Sequence, residues 1–299
     1  MNILVTGADG FVGSHFSRIE NNSIIPLKDD DGAVDIRDSE RIRKIVSYMQ
    51  PDAVLHLAAQ SFVPRSFENP LETFDINFNG TFALLSALQK ADFKGRMLFV
   101  GSGDVYGLVD SDSLPITETT PLRPRNPYSV SKVAAEALCY QWSQTGPFEV
   151  ISARSFNHIG PGQSDRFAIS DFARQIVEIH HGFREPKLTV GDIDVTRDFT
   201  DVRDVVHAYE LLIRKGRNGE VYNVCSGKKR SIRTMIERLL LLAGVEVTIE
   251  QDATRLRPSE QRRVYASNTK LKHHTGWHPE LELDKSLKDL LNYWEKTLI

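Results

Sequence analysis

The first half of this chain alternates short, unbroken apolar runs with stretches of helical period. Ile3, Leu4 and Val5 make the first run, and Ile24, Ile25, Pro26 and Leu27 the second. Segments AVLHL (53–57), MLFV (97–100) and VISA (150–153) follow. Runs that are apolar at every position, rather than at alternate ones, belong to strands covered on both faces. Helical stretches lie between them, at 81–90 and 128–145, and the second stops at Gly146-Pro147, a helix-ending pair. This alternation predicts an α/β fold built on a doubly wound parallel sheet with right-handed crossovers.

After Asn157 the texture changes. Loops rich in Gly, Asp and Arg appear (HIGPGQSDRF, VGDIDVTRDFTDVRD), then amphipathic helices near 232–243 and 287–296. Val221, Tyr222, Asn223 and Val224 read as one more strand. No linker or low-complexity segment separates the two textures. A chain of 299 residues has room for roughly two domains, so the second unit is expected to consist of excursions from the first. The expected division is 1–156 with 196–224, and 157–195 with 225–299.

Gly7-Ala8-Asp9-Gly10-Phe11-Val12-Gly13 follows the first strand directly. Strand, glycine turn and helix in that order make a phosphate site. The glycines permit a tight turn, close backbone approach to a pyrophosphate and close helix–sheet packing. The helix start then offers free N–H groups to the anion. Some twenty residues on, a dinucleotide fold places the residue that reads the adenine ribose. Here that stretch is Leu27-Lys28-Asp29-Asp30. Asp29 would accept ribose hydroxyls and favour NAD; Lys28 would pair with a 2′-phosphate and favour NADP; a solvated charged loop is the third possibility.

Charge narrows the partners. The net charge is -3, so no global basic field draws nucleic acid or an acidic membrane surface. Arg255, Arg257, Arg262 and Arg263 cluster without aromatic interleaving, against nucleic acid. No apolar run approaches the ~18 residues of a membrane span. The start MNILVTG enters a strand at once, and Cys139 and Cys225 form no CxxC pair. The expectation is a cytoplasmic protein with reduced thiols and no metal site. His180, His181, His273 and His274 are expected at the surface, and His56 as a satisfied core histidine.

Tyr128 and Lys132 stand at i and i+4, one helical turn apart on one face. An ammonium beside a phenol favours the phenolate, so Lys132 is expected to lower the Tyr128 pKa and fit it for proton transfer at a carbinol oxygen. Ser102 ends a predicted strand, at the edge where α/β folds bind ligands.

With these pieces in order, the chain resembles the extended short-chain dehydrogenase/reductases that modify nucleotide-linked sugars. The resemblance rests on GADGFVG, Asp35-Ile36, HLAAQ (56–60), NFNGT, GSGDVYG (101–107), YSVSK, the stretch from Arg154 to HIGPG, RDFTDVRD (197–204), NVCSG and Arg257-Pro258-Ser259-Glu260. It spans nearly the whole chain. It implies a Rossmann sheet with a smaller, interleaved C-terminal substrate domain, and NADP, or NAD, as cofactor. The cofactor would lie on Gly7, Gly10, Phe11, Val12 and Gly13, beside Lys28 and against Leu57, Ala58, Ala59 and Asn77. Asp35 and Ile36 would contact the adenine, and Tyr128 and Lys132 the nicotinamide end. Ser102, Tyr128, Lys132 and Asp104 would make the catalytic set. Ser102, Asp104, Asn157, Asp171, Arg197, Arg257 and Glu260 would hold the nucleotide sugar, with Asp171 the suggested reader of guanine. Members of the family generally pair as homodimers, and Ala134, Ala135, Leu138 and Trp142 would supply such a seam.

Within the family, FNHIGPGQS, VYNVCSG and LRPSEQRR are similar to the reductases of GDP-linked 4-keto-6-deoxyhexoses, which form GDP-D-rhamnose. The rivals are GDP-mannose 4,6-dehydratases, nucleotide-sugar epimerases and a non-catalytic cofactor sensor. Elimination of water needs a base and an acid beside the hydride step. The family's dehydratases carry Thr-x-Glu where this chain has Ser102-Gly103-Asp104. Gly103 supplies no acid and Asp104 reaches one methylene less, which disfavours elimination. A sensor would be free to lose Ser102, Tyr128 or Lys132, and all three are present.

Overall fold

The structure is a computed structural model that describes residues 1–20, 22–255 and 261–299. Six parallel strands form the central sheet: β1 (Asn2–Thr6), β2 (Ser23–Pro26), β3 (Ala53–His56), β4 (Arg96–Val100), β5 (Glu149–Ser155) and β6 (Val221–Val224). Their spatial order is β6-β5-β4-β3-β1-β2. The pleat explains the unbroken apolar runs. Leu4, Val54, Met97 and Val150 stand opposite one another in register and enter one core cluster. Their neighbours Ile3, Val5, Leu55, Leu98 and Ile151 enter the cluster on the other face. Each such side chain contributes about 1.5–3 kcal/mol on full burial, so both faces must carry helices.

They do. Helices Ser39–Met49, Gly80–Lys90 and Pro127–Thr145 cover one face, and Phe11–Phe16 and Val202–Lys215 the other. The longest has a fully determined start. Asn126 accepts the amide of Ser129 (2.7 Å), Ser129 Oγ answers the Asn126 amide (3.3 Å), and Pro127 opens the helix. Such a cap is worth about 1 kcal/mol, and it sets the angular position of Tyr128 one residue later.

A second core lies beyond Asn157. Helices Ala168–His180, Ile232–Ala243 and Leu283–Leu298 pack on one another and on the parallel pair Lys187–Val190 and Thr248–Gln251. The interleaving runs in both directions. Strand Thr196–Asp201 pairs with Asn157–Ile159 and Lys229–Ser231 in a separate three-stranded sheet. Leu271 and Trp277, far along the chain, enter the core under the central sheet. The chain leaves β1 to one side for β2 and crosses back for β3. The carboxyl ends of β1 and β3 therefore flank the switch point, where open α/β sheets bind ligands.

Candidate active site

The glycine turn sits at that switch point. Gly7 has φ +72°, a conformation that needs glycine, and a Cβ there would lie 3.0 Å from the Ala58 nitrogen. A Cβ on Gly13 would lie 2.4 Å from the Gly7 carbonyl. Glycine at both positions is thus a packing requirement of the turn itself. Beside the turn opens a cavity of about 200 Å³, lined by Gly7, Gly10, Lys28, Ile36 and Ala58 among others. Shape and lining fit a dinucleotide: glycine backbone where phosphates would lie, apolar walls where an adenine would lie.

Lys28 reaches this cavity and pairs with Asp9 (2.9 Å). Asp29 points elsewhere. Arg41 grips both of its oxygens (2.8 and 2.5 Å) and holds the carboxyl below its ordinary pKa. Asp35 is bound by Arg37, which pushes its pKa down to about 2, and Arg37 also reaches Asp75 (2.5 Å). Ile36 is buried against Gly80. Phe11 and Val12 pack against the core under the sheet. The Phe11 ring also stacks on His158 (5.8 Å, 17°), which ties the turn to strand Asn157–Ile159.

The far wall, Leu57-Ala58-Ala59, is held by a chain of hydrogen bonds through His56. The Ala58 amide donates to Thr6 Oγ1 (3.1 Å), and Thr6 Oγ1 lies 2.8 Å from His56 Nδ1. His56 Nε2 lies 3.0 Å from Thr81 Oγ1, which donates to the Asn77 carbonyl (2.7 Å). The hydroxyl of Thr81 is thereby spent, so Nε2 carries the proton and Nδ1 accepts from Thr6. Burial lowers the His56 pKa to about 3, so the ring is neutral. Asn77 lies in a π-helical turn, Asp75–Asn79. Its side chain exchanges bonds with the Gln60 amide and carbonyl (2.8 and 3.0 Å) and donates to Ser131 (2.9 Å). It clips the wall to the Tyr128 helix.

Ser102, Tyr128 and Lys132 converge at the end of β4. Ser102 begins a short 3₁₀ turn, Gly103–Tyr106, and accepts the Asp104 amide (3.2 Å). The Tyr128 phenol feels this hydroxyl, which favours its phenolate. Lys132 donates to the Val100 carbonyl (2.8 Å) and lies 5.0 Å from the Phe99 ring centre. One expectation is corrected here. The Tyr128 pKa is raised, not lowered. Burial of the phenol is the largest cause and the Asp104 carboxylate adds to it, while the Ser102 hydroxyl opposes both. The i, i+4 spacing does place Lys132 on the same helix face, but its ammonium is anchored on the strand. Lys132 itself is shifted down to about 8 by burial.

On the substrate side the placements differ. Asn157 is exposed at the start of strand Asn157–Ile159. Asp171 is neither an N-cap nor a solvated helix residue. It is buried, and its oxygens take Arg174 (2.9 Å), Gln175 (2.7 Å) and Arg255 (2.8 Å). Those donors compete with a guanine edge for the same carboxylate. Arg197 donates to the carbonyls of Thr196 and Gln261 (2.8 and 2.9 Å). The neighbouring carboxylates have other partners: Asp198 binds Ser226 and Gly227, and Asp201 binds Arg203. Arg257 and Glu260 lie outside the described residues. Of the basic cluster, Arg255 and Arg262 are engaged by Asp171 and Asp192. His181 is exposed, as expected, and bonds Glu295 (2.6 Å), whereas His274 is half-buried beside the Tyr222 hydroxyl (2.8 Å). Ala135 is fully buried in the core and offers nothing to a dimer seam, whereas Ala134, Leu138 and Trp142 are partly buried.

Sequence reasoning missed the network beneath the Ser102 turn. Arg154 on β5 makes two bonds to Glu136 on the Tyr128 helix (2.9 and 2.5 Å) and one to the Tyr106 hydroxyl (2.9 Å). Tyr106 in turn donates to Asn223 (2.7 Å) and stacks on Phe156 (6.1 Å, 21°). Tyr106 closes the turn that carries Ser102 and Asp104, so the network holds the turn from below. Phe156 also fills the space beside Gly103, where a Cβ would lie 2.9 Å from its ring. The sequence signal was present in Glu136 and Arg154, charges set among apolar neighbours, but their partnership joins a helix to a strand 18 positions on.

Comparison with known proteins gives the lineage. Residues 32–290 match the family described as GDP-mannose 4,6 dehydratase. The chain belongs to that family, within the extended short-chain dehydrogenase/reductases. It is 46% identical over 295 residues to the GDP-6-deoxy-D-mannose reductase of Pseudomonas aeruginosa, covering 98% of this chain and 97% of that one. A structure of RMD from Pseudomonas aeruginosa complexed with NADPH superposes with a TM-score of 0.93 at 45% identity, over 99% of both chains. The GDP-mannose 4,6-dehydratase of Yersinia enterocolitica is more distant, 26% identical over 86% of this chain and 76% of its own.

Proposed function

We propose that this protein is an NADPH-dependent reductase that converts the C4 keto group of GDP-4-keto-6-deoxy-D-mannose to the alcohol of GDP-D-rhamnose. The observation that carries this reading is the convergence of Ser102, the buried Tyr128 and Lys132 at the carboxyl end of β4. Likeness to the reductase of Pseudomonas aeruginosa over 98% of the chain supports the substrate. NADH would serve the same chemistry in place of NADPH.

Bound cofactor supplies the hydride that becomes the new C4 hydrogen. The ketone oxygen then needs one proton. Tyr128 keeps its proton well above neutral pH because burial and the Asp104 charge disfavour the phenolate. It is therefore an acid rather than a base in the resting site, as reduction requires. Ser102 donates to the same oxygen and orients it. Lys132 keeps its ammonium on the Val100 carbonyl at the end of β4, and we assign it the charge that favours the phenolate Tyr128 becomes. We assign the pyrophosphate to Gly7, Gly10 and Gly13, the adenine to Asp35 and Ile36, and the 2′-phosphate to Lys28. Leu57, Ala58 and Ala59 form the nicotinamide-side wall. Asp104, Asn157 and Arg197, with Arg257 and Glu260, take the sugar and its diphosphate. Asp171 acts through Arg255 and Gln175 rather than on the guanine directly. Residues 1–156 with 196–224 act as the dinucleotide-binding unit and the remainder as the nucleotide-sugar unit.

Gly103 favours reduction over dehydration, because Phe156 occupies the space that an acid at 103 would need. The test is incubation with GDP-4-keto-6-deoxymannose and NADPH, with the product sugar identified by mass spectrometry and sugar analysis. Cofactor oxidation yielding GDP-D-rhamnose is expected, and a keto product from GDP-mannose would overturn the pure-reductase reading. Tyr128→Phe is expected to lower kcat by about 10²–10⁴ while NADPH still binds; unchanged turnover refutes the proton-donor role.

We also assign homodimer formation to the face shared by helices Gly80–Lys90 and Pro127–Thr145. Phe82 stands exposed there against Trp142, and Tyr140 is exposed on the second helix. Sedimentation should give twice the chain mass, and Tyr140→Glu should return it to the single-chain value. A single-chain mass for the unaltered protein overturns the assignment.

A further inference from the structure

We infer that Asp9 sets the cofactor preference of this site by competing with the 2′-phosphate of NADPH for Lys28. The inference rests on the cofactor reading above. Among the described residues lining the switch-point cavity, Lys28 is the one cation and Asp9 the one anion. The two are joined, Nζ to Oδ1, at 2.9 Å. Neighbouring charges are committed elsewhere: Asp29 to Arg41, and Arg37 to Asp35 and Asp75.

The geometry gives the pair a double use. Asp9 sits at the corner of a closed turn, where the Gly10 amide donates to the Gly7 carbonyl (3.1 Å). Its backbone position is therefore fixed, while its side chain is 71% exposed and that of Lys28 is 41% exposed. Both heads can meet a ligand in the cavity. A phosphate that touches Lys28 must also lie beside the Asp9 carboxylate, and like charges repel. A ribose 2′-hydroxyl carries no charge and is a donor, for which Asp9 is an acceptor. Lys28 thus favours NADPH and Asp9 favours NADH. Held together, they leave the site less selective for the phosphate than Lys28 alone would make it.

The experiment is equilibrium titration of NADPH and NADH by cofactor fluorescence, without sugar substrate, on the unaltered protein, Asp9→Asn, Lys28→Met and the double variant. The readout is the ratio of the two affinities, which cancels any general loss of folded protein. Asp9→Asn should raise the NADPH:NADH ratio about two- to five-fold, the worth of an exposed ion pair. The gain should shrink at high salt, as screening requires. Lys28→Met should lower the ratio about tenfold or more, the loss of a charge-assisted bond to phosphate. In the double variant the Asp9 effect persists through repulsion alone and is smaller. A ratio unmoved or lowered by Asp9→Asn overturns the inference, as does a Lys28 variant that weakens both cofactors equally. Failure of the unaltered protein to bind either cofactor is a different result, and overturns the cofactor reading itself together with the inference.

Discussion

Removing Glu136 tests the link between the hidden network and the site above it. The Glu136 and Arg154 side chains are 8% and 7% exposed, and two bonds join them. Glu136→Leu keeps the volume and deletes the charge. Arg154 is then left buried with the Tyr106 hydroxyl, the Glu118 carbonyl (3.3 Å) and the Tyr106 ring (5.0 Å). Breaking one side of a buried pair costs about 3–5 kcal/mol, and these remaining partners place the expected loss near the lower end, about 3 kcal/mol. Urea unfolding of the cofactor-free protein should register a midpoint lower by roughly 1 M at a slope of about 3 kcal/mol/M. Trp142 lies on the same helix and reports the transition. Glu136→Leu combined with Arg154→Met removes both charges, and Tyr106 keeps its Asn223 acceptor. The double variant should therefore be more stable than Glu136→Leu alone, a non-additivity of at least about 1 kcal/mol. A single-variant loss under about 1 kcal/mol, or simple additivity of the two substitutions, would refute a strongly coupled pair.

The Ser102 turn is open to a second perturbation, and pH to a third. Gly103→Ala presses a methyl 2.9 Å from the Phe156 ring; overpacking of about 1–3 kcal/mol should lower kcat/KM roughly tenfold, and Phe156→Leu in the same chain should recover part of it. No recovery would mean that Phe156 is not the obstacle. Burial holds Lys132 at a pKa of about 8, against the ordinary lysine value of 10.5. The unfolded chain therefore binds the extra proton between those values, and stability should rise with pH across that window, by at most about 1.4 kcal/mol per unit. Below pH 8 the burial penalty is present in full. Lys132→Met should flatten the rise in urea unfolding measured from about pH 8 to 10; an unchanged slope assigns it to other groups.

Much of the site was legible because its parts are local. The glycine turn follows β1 within one residue of its end, and Ser102 and Tyr128 each follow a strand or open a helix. Helix 232–243 and strand 221–224 fall where periodicity placed them. The helix near 287–296 runs instead over Leu283–Leu298, because its first turn carries Asp284 and Lys285 outside the apolar stripe. Asn77 shows the limit of local reading. Its place in NFNGT marked it as a cofactor-side residue, but its amide is spent on Gln60 and Ser131, partners 17 and 54 positions away.

By itself the sequence determined the parallel sheet, the phosphate turn and the chain order of Ser102, Tyr128 and Lys132. These follow from runs, turns and helical spacings, each confined to a few neighbouring residues. Tertiary structure decided how those groups are charged and occupied. Tyr128 holds its proton because burial and the Asp104 carboxylate outweigh the influence of Ser102. The Asp171 carboxylate is engaged by Arg255, which comes 84 positions later. Gly103 stays bare because Phe156 packs against it from just past the end of β5. Desolvation and packing depend on what lies around a group in space, and no spacing along the chain encodes that.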